Sequence, residues 1–363
     1  MFRRWFAFVL LVCSSQVACA DWPMFRGNPL QTGVTPTKLP DKLDILWTFE
    51  VKQGFEGTAA IVGGVVYVGA FDGHLYALDL ADGKVKWKYK AEAIKAAPSV
   101  RDGLVFVGDE EGKFHCVDAK TGAGKWVFET GGEVSGGANF AEDKVLFASH
   151  DSTLYLLNIK DGSLVWKYRT EGPVYGAPVV AKNLTFLAGC DSELHLIDLR
   201  TGKSDVKVNL NGQSGSTVAV HDGKVYVGTM ADEVLAVDLK KREVAWRFAP
   251  ERPQAFYSSA AVTDKLAIIG CRDKHVYGLD RNKGETLWSF KTKGKVDSSP
   301  VVAGARVYVG SGDGHLYVLD LEKGTLMQAL RLGESILASP AIADGRLVIG
   351  TVDGKLVCLG AKE

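Results

Sequence analysis

The chain has 363 residues, with 43 Lys and Arg against 43 Asp and Glu, so its formal net charge is zero. That balance excludes a surface built to draw in nucleic acid or an anionic membrane. The length is enough to bury a large core without disulfide staples.

The first twenty residues read as a targeting segment. Arg3 and Arg4 form a short basic region, Trp5 to Val12 is an apolar run, and Ala18-Cys19-Ala20 offers small residues for signal peptidase. The apolar run is too short to span a bilayer, and no later stretch is apolar enough to do so. A secretory signal peptide over residues 1–20, cleaved before Asp21, is therefore expected, with the mature chain periplasmic or secreted. Two rival readings fit less well: the twin-arginine pattern is incomplete, and a lipid anchor on Cys19 would want Leu where Gln16 stands. Cleavage removes two arginines and leaves 41 basic against 43 acidic residues, a net charge near −2. Of the six cysteines, Cys116, Cys190, Cys271 and Cys358 remain, with neither a CxxC motif nor an adjacent pair, so no zinc or redox site is written.

Residues 21–43 form an N-terminal arm, and from residue 44 onward the sequence repeats. The small residue ending a "VYVG"-like run falls at Gly69, Gly108, Ala148, Ala188, Gly228, Gly270, Gly310 and Gly350, in steps of 39, 40, 40, 40, 42, 40 and 40. A fixed period near 40 marks a repeat architecture. Each unit alternates apolar, β-branched and aromatic residues between Asp-Gly and Thr-Gly turns, which is the pattern of short antiparallel strands. Four such strands per unit, repeated radially, predict a β-propeller blade; the strands are lettered A to D from the axis outward. The eighth unit stops at Gly360 to Glu363, where strand D should start, whereas Asp44 to Phe49 looks like a strand D with no blade before it. The N-terminal strand is therefore expected to complete the last blade. The fold predicted is all-β: a closed eight-bladed propeller over residues 44–363, as a monomer.

Eighteen residues past each anchor stand Trp87, Trp126, Trp166, Val206, Trp246, Trp288 and Gln328, and Trp47 holds the same phase in the opening strand. The run Tyr76-Ala77-Leu78-Asp79 … Gly83-Lys84-Val85-Lys86-Trp87 resembles the tryptophan-docking repeat of the pyrroloquinoline-quinone (PQQ)-like propellers, and "DWPMFRGNPLQTG" resembles the opening of many secreted bacterial members. The resemblance implies that Trp47, Trp87, Trp126, Trp166, Trp246 and Trp288 dock on the Asp-to-Gly turn of the neighbouring blade. Each would contribute about 4–6 kcal/mol of gross burial as an upper bound. Val206 and Gln328 depart from the pattern, so blades 4 and 7 are expected to dock more weakly. The nearest members in size and shape are of the BamB type, from the outer-membrane β-barrel assembly machinery.

Function is sought where the copies disagree. Thirteen residues before each anchor, at the start of innermost strand A, stand Glu56, Lys95, Ser135, Tyr175, Gly215, Tyr257, Asp297 and Leu337, flanked by uniform neighbours. Two residues past the anchor, on the B–C turns, stand Phe71, Glu110, His150, Cys190, Met230, Arg272, Gly312 and Val352. Both sets belong on the face opposite the docking turns. The residues expected to contact a ligand or partner are Glu56, Lys95, Tyr175, Tyr257 and Asp297 of the first ring and Phe71, His150, Met230 and Arg272 of the second. Equally, they line a wet axial channel with no ligand. The apolar Phe71, Met230 and Val352 either face a protein or fold inward over the rim. His74, His275 and His315 share a phase but lie on strand C of different blades, on the order of 10 Å apart even between neighbours, too far to share a metal ion.

Three functions remain in view. The first is a non-catalytic protein-binding scaffold, possessing neither catalytic nor metal-binding residues, with an envelope protein as partner and a BamB-like role in outer-membrane protein assembly. The second, implied by the resemblance, is a quinoprotein dehydrogenase holding PQQ and calcium. Against it, the chain has no tryptophan at an inner-strand position and no adjacent cysteines, so neither cofactor is expected. The third is a glycan or small-molecule binder using the axial pocket, with Tyr175 and Tyr257 stacking on a ring.

Overall fold

The computed structural model describes residues 21–204 and 206–362; the signal-peptide reading of residues 1–20, with Cys19, lies outside them. The described residues form eight sheets arranged blade after blade. Blade 1 runs Ala60–Val62, Val65–Ala70, His74–Asp79 and Val85–Lys90 as strands A to D, each antiparallel to the next. Strands B and C are buried almost throughout, and strand D alternates exposed with half-buried residues. The cause is placement: B and C are covered on both faces by neighbouring blades, which is why they read as continuous apolar runs, while D forms the outer edge.

The ring closes as predicted. Asp44–Glu50 pairs antiparallel with Lys355–Gly360, from Asp44 opposite Gly360 to Glu50 opposite Lys355, and completes the sheet of Ala341–Ala343 and Arg346–Gly350.

Six indoles dock as the repeat implies. Trp47, Trp87, Trp126, Trp166, Trp246 and Trp288 each donate Nε1–H to a backbone carbonyl in the next blade's C–D turn, those of Leu80, Ala119, Ile159, Leu199, Arg281 and Leu321, at 2.8–3.0 Å. Each ring lies flat on a glycine: a Cβ at Gly162, for example, would come within 2.7 Å of Trp126. These glycines also hold positive φ, 72° at Gly162, so the residue is required twice over.

The two departures from the tryptophan pattern have separate reasons. Blade 5 carries Arg242, at φ 62°, where the other C–D turns have glycine. Its Cβ would strike an indole, and blade 4 has Val206 instead, which with Leu239 packs against the core cluster shared by blades 4 and 5. Blade 8 has no continuous C–D turn, because its strand D comes from the other end of the chain. Gln328 of blade 7 docks on that junction, donating to the Leu43 carbonyl at 2.8 Å and accepting from its N–H at 3.0 Å. Blade 7 thus replaces indole burial with a two-bond clamp. A double-mutant cycle checks the first explanation: Val206→Trp alone is expected to destabilise, whereas Val206→Trp with Arg242→Gly recovers that loss and adds a seventh docked indole. The coupling expected is about 1–3 kcal/mol from unfolding midpoints; additive effects would contradict it.

The arm solves a problem that ring closure leaves open, the unpaired inner edge of strand A, in blades 1 to 7. It travels round the inside of the ring near the A–B turns. Trp22 and Ile61 exchange two backbone hydrogen bonds at 2.8 Å. Val100, Val180, Val220, Val262 and Val302, at the equivalent place in blades 2, 4, 5, 6 and 7, donate N–H to the carbonyls of Pro23, Pro29, Leu30, Thr32 and Gly33. In blade 3 the Asn139 side chain intervenes, donating to Pro29 and accepting from Phe140 N–H, both at 2.8 Å.

Candidate functional site: the axial funnel

Each strand A starts at the B–C face and runs toward the arm, so the first residues of eight strands converge on one opening. All eight positions of the variable ring, Glu56, Lys95, Ser135, Tyr175, Gly215, Tyr257, Asp297 and Leu337, line a mouth cavity of about 530 Å³. From the second ring Cys190, Met230 and Arg272 also line it, together with Gln213. Below lies a throat of about 170 Å³, lined by the same ring and by Thr58, Thr217, Ser259, Ser299 and Ser339.

Those hydroxyls have a structural duty. Thr217, Ser259, Ser299, Ser339 and Thr58 each accept a hydrogen bond from a backbone N–H of the preceding blade, those of Ala177, Thr217, Ser259, Ser299 and Ser339, at 2.8–3.2 Å. The same phase holds Ala97, Gly137 and Ala177 in blades 2, 3 and 4. Beside the first two, Phe25 of the arm enters the channel, its Cβ packed against Gly137, and forms the floor.

Charged groups at the mouth are largely paired with one another. Arg272 grips Asp297 through two hydrogen bonds, Nε to Oδ1 at 2.8 Å and Nη2 to Oδ2 at 3.0 Å, and its guanidinium lies 3.7 Å from the centre of the Tyr257 ring. This arrangement combines a bidentate ion pair with cation–π stacking. Across the mouth, Lys95 reaches Glu110 at 2.7 Å and Glu133 at 3.5 Å, and its Nζ lies 5.8 Å from the Phe71 ring centre. His150 shares a 2.7 Å hydrogen bond with Ser135 and packs edge-on against Tyr175. Burial lowers the His150 pKa, outweighing the opposite pull of Glu133. Glu56 is the exception: burial raises its pKa, Glu110 and Glu133 add to the rise, and Lys95 opposes it.

The structure thus brings the first ring together in one cavity. Of the second ring it admits Met230 and Arg272 to the wall and leaves Phe71 and His150 as supports behind Lys95 and Tyr175. Phe71, Met230 and Val352 are half-buried rather than exposed; Met230 folds inward over Gly215, which has no Cβ to block it. Three contributors escaped the sequence reading. Glu133 and Gln213 occupy the D–A connection two residues before the variable ring, a position as variable as the ring itself (Gly54, Ala93, Glu133, Pro173, Gln213, Ala255, Lys295, Ser335). Phe25, outside the repeat, left only the Ala97/Gly137 gap as a signal.

A bound PQQ with calcium does not fit these residues. The floor is Phe25 rather than an indole, Asp297 is engaged by Arg272, and the described residues hold no group of three His, Cys, Asp or Glu side chains able to bind a metal. Cys190, at the mouth, has no adjacent cysteine in the sequence.

The architecture defines an eight-bladed PQQ-like propeller with an axial funnel. A family model described as outer membrane protein assembly factor BamB matches residues 44–135, 111–205, 179–279 and 272–363, and the chain belongs to that family. No curated protein matches it. Among solved structures, BamB from Moraxella catarrhalis is 21% identical, covers 89% of this chain and 98% of its own, and has a TM-score of 0.76. A europium-containing methanol dehydrogenase is 14% identical over 94% of this chain and 98% of its own, at a TM-score of 0.81. The quinohemoprotein alcohol dehydrogenase from Comamonas testosteroni is 13% identical over 95% of this chain and 81% of its own, at 0.82. Likeness at these identities speaks to the fold, which BamB and these dehydrogenases share.

Proposed function

We propose that the chain is a non-catalytic, monomeric scaffold of the bacterial cell envelope, BamB-like in outer-membrane protein assembly, whose partner is an envelope protein docking on the mouth face. The observation that carries this reading is the mutual pairing of the mouth's charges. Lys95 with Glu110 and Glu133, and Arg272 with Asp297, surround the half-buried Phe71, Met230, Leu337 and Val352. A pre-paired ionic rim round an apolar and aromatic centre is the anatomy of a protein interface, and Arg with Tyr are frequent anchors there. The outer-membrane role rests on the family's description, the periplasmic or secreted location on the leader-like residues 1–20, and no described helix is long and apolar enough to cross a membrane. The glycan reading loses ground because Arg272 covers a face of Tyr257, leaving Tyr175 as the open ring.

Deletion of the gene is expected to lower the steady-state level of outer-membrane β-barrel proteins several-fold. Wild-type protein restores it; Phe71→Asp with Arg272→Glu, at equal abundance, does not. Unaltered β-barrel levels in the deletion strain would refute the assembly role, and full rescue by the double variant would refute the face.

A further inference from the structure

One buried charge plays no part in the mouth or in blade docking. Arg26 of the arm is 1% exposed, and none of its three guanidinium nitrogens has a hydrogen-bond partner among the described residues. A guanidinium carries five donors and stays charged, so an unpaired one in the interior is among the costliest side chains a fold can bury. Burial lowers its pKa to about 9, and no neighbouring acid opposes that shift.

The chain accepts two further costs to place it. Arg26 has φ 59°, a left-handed conformation that non-glycine residues seldom adopt. Gly33, also at positive φ, lies so close that any Cβ there would overlap the guanidinium. Strain that persists in a packed structure points toward a use. Position supplies the rest. The guanidinium carbon is 5.9 Å from the Phe25 ring centre, and Phe25 is the floor of the throat. The cation therefore sits beside a ring that lines the throat, while Arg26 itself is not among the throat's lining residues. Trp22 Nε1, on the same arm and equally buried, is a second donor with no partner among the described residues.

We propose that Arg26 is the recognition group of a small-oxyanion site in the N-terminal arm beside the throat of the axial channel, taking a carboxylate, phosphate or sulfate group. Two parallel N–H donors on the guanidinium edge match the paired oxygens of such a group, and neutralising the charge in place removes the burial penalty. The bound anion ties the arm to the hub and so stabilises the whole ring. This site is independent of the mouth and of any partner there.

The test uses the mature protein in a zwitterionic buffer. Thermal unfolding is followed during titration with sodium phosphate, sulfate or acetate, with chloride at matched ionic strength as control. The wild type is expected to show a melting temperature that climbs with the logarithm of oxyanion concentration, and the rank of the three probes separates carboxylate from phosphate-like ligands. Arg26→Met abolishes the dependence. If that variant fails to fold, wild-type crystals soaked in selenate decide, through an anomalous peak within hydrogen-bond reach of the guanidinium. An oxyanion response equal to that of chloride, a response retained in Arg26→Met, or water alone around the guanidinium overturns the proposal.

Discussion

Trp246→Ala is expected to destabilise the protein by about 3–5 kcal/mol, the range for removing a large buried aromatic. The indole is 8% exposed, donates to the Arg281 carbonyl at 3.0 Å, and packs beside Tyr226 with ring centres 6.1 Å apart. Truncation therefore loses apolar burial, leaves the Arg281 carbonyl with only the long 3.5 Å bond from the Tyr226 hydroxyl, and opens a cavity between blades 5 and 6. Relaxation cannot fill that cavity, because Gly284 opposite has no side chain to offer. Guanidinium unfolding followed by far-UV circular dichroism gives the shift in midpoint. Gly284→Ala is expected to be damaging by itself and clearly sub-additive with Trp246→Ala, since the methyl group clashes only while the indole is present. A loss below about 1 kcal/mol for Trp246→Ala would show that docking is incidental to blade cohesion.

Removing the chain's start should have a larger effect still. A protein beginning at Val51 lacks both the arm and the strand Asp44–Glu50. Blade 8 is left with an open edge at Lys355–Gly360, and blade 1 loses the indole of Trp47 from its Leu80–Gly83 turn. Inside the ring, the N–H groups of Val100, Val180, Val220, Val262 and Val302 lose their acceptors. Each such donor left unmade costs up to about 1–3 kcal/mol, and together with the open edge of blade 8 and the lost Trp47 indole the total is comparable to the margin of roughly 5–15 kcal/mol by which folded domains persist. Size-exclusion chromatography with near-ultraviolet circular dichroism should find no folded monomer. A protein beginning at Asp44 keeps the closing strand and should hold an intermediate, less stable ring. A folded monomer of wild-type melting temperature from the chain that begins at Val51 would contradict the closure argument.

Much of this was legible from residue order alone. The anchors from Gly69 to Gly350, the tryptophan phase and the Trp47-bearing opening strand fix blade number, strand number and closure, because repetition lets eight noisy copies report on one pattern. The variable ring was legible for the same reason: Glu56, Lys95, Tyr175, Tyr257 and Asp297 are conspicuous against uniform flanks, and they do converge. What escaped detection lies outside the repeat or between its copies. The coupling of Val206 to Arg242 joins different blades, so it shows only when one unit is read against the next. The arm has no second copy to compare with, and its backbone carbonyls, which perform the pairing, are the same for any sequence. The inward fold of Met230 depends on the absent side chain of Gly215 in three dimensions.

The course of the arm has a consequence for how such a protein can change over evolutionary time. The carbonyls of Pro29, Leu30, Thr32 and Gly33 serve blades 4, 5, 6 and 7 in turn, so this segment works as a gauge with one station for each of those four blades. Duplication or loss of a single repeat, an easy genetic event in a tandem array, would put every later station out of step with its strand. The run of blades 4 to 7 is thereby held in number by a short stretch of chain that belongs to no repeat.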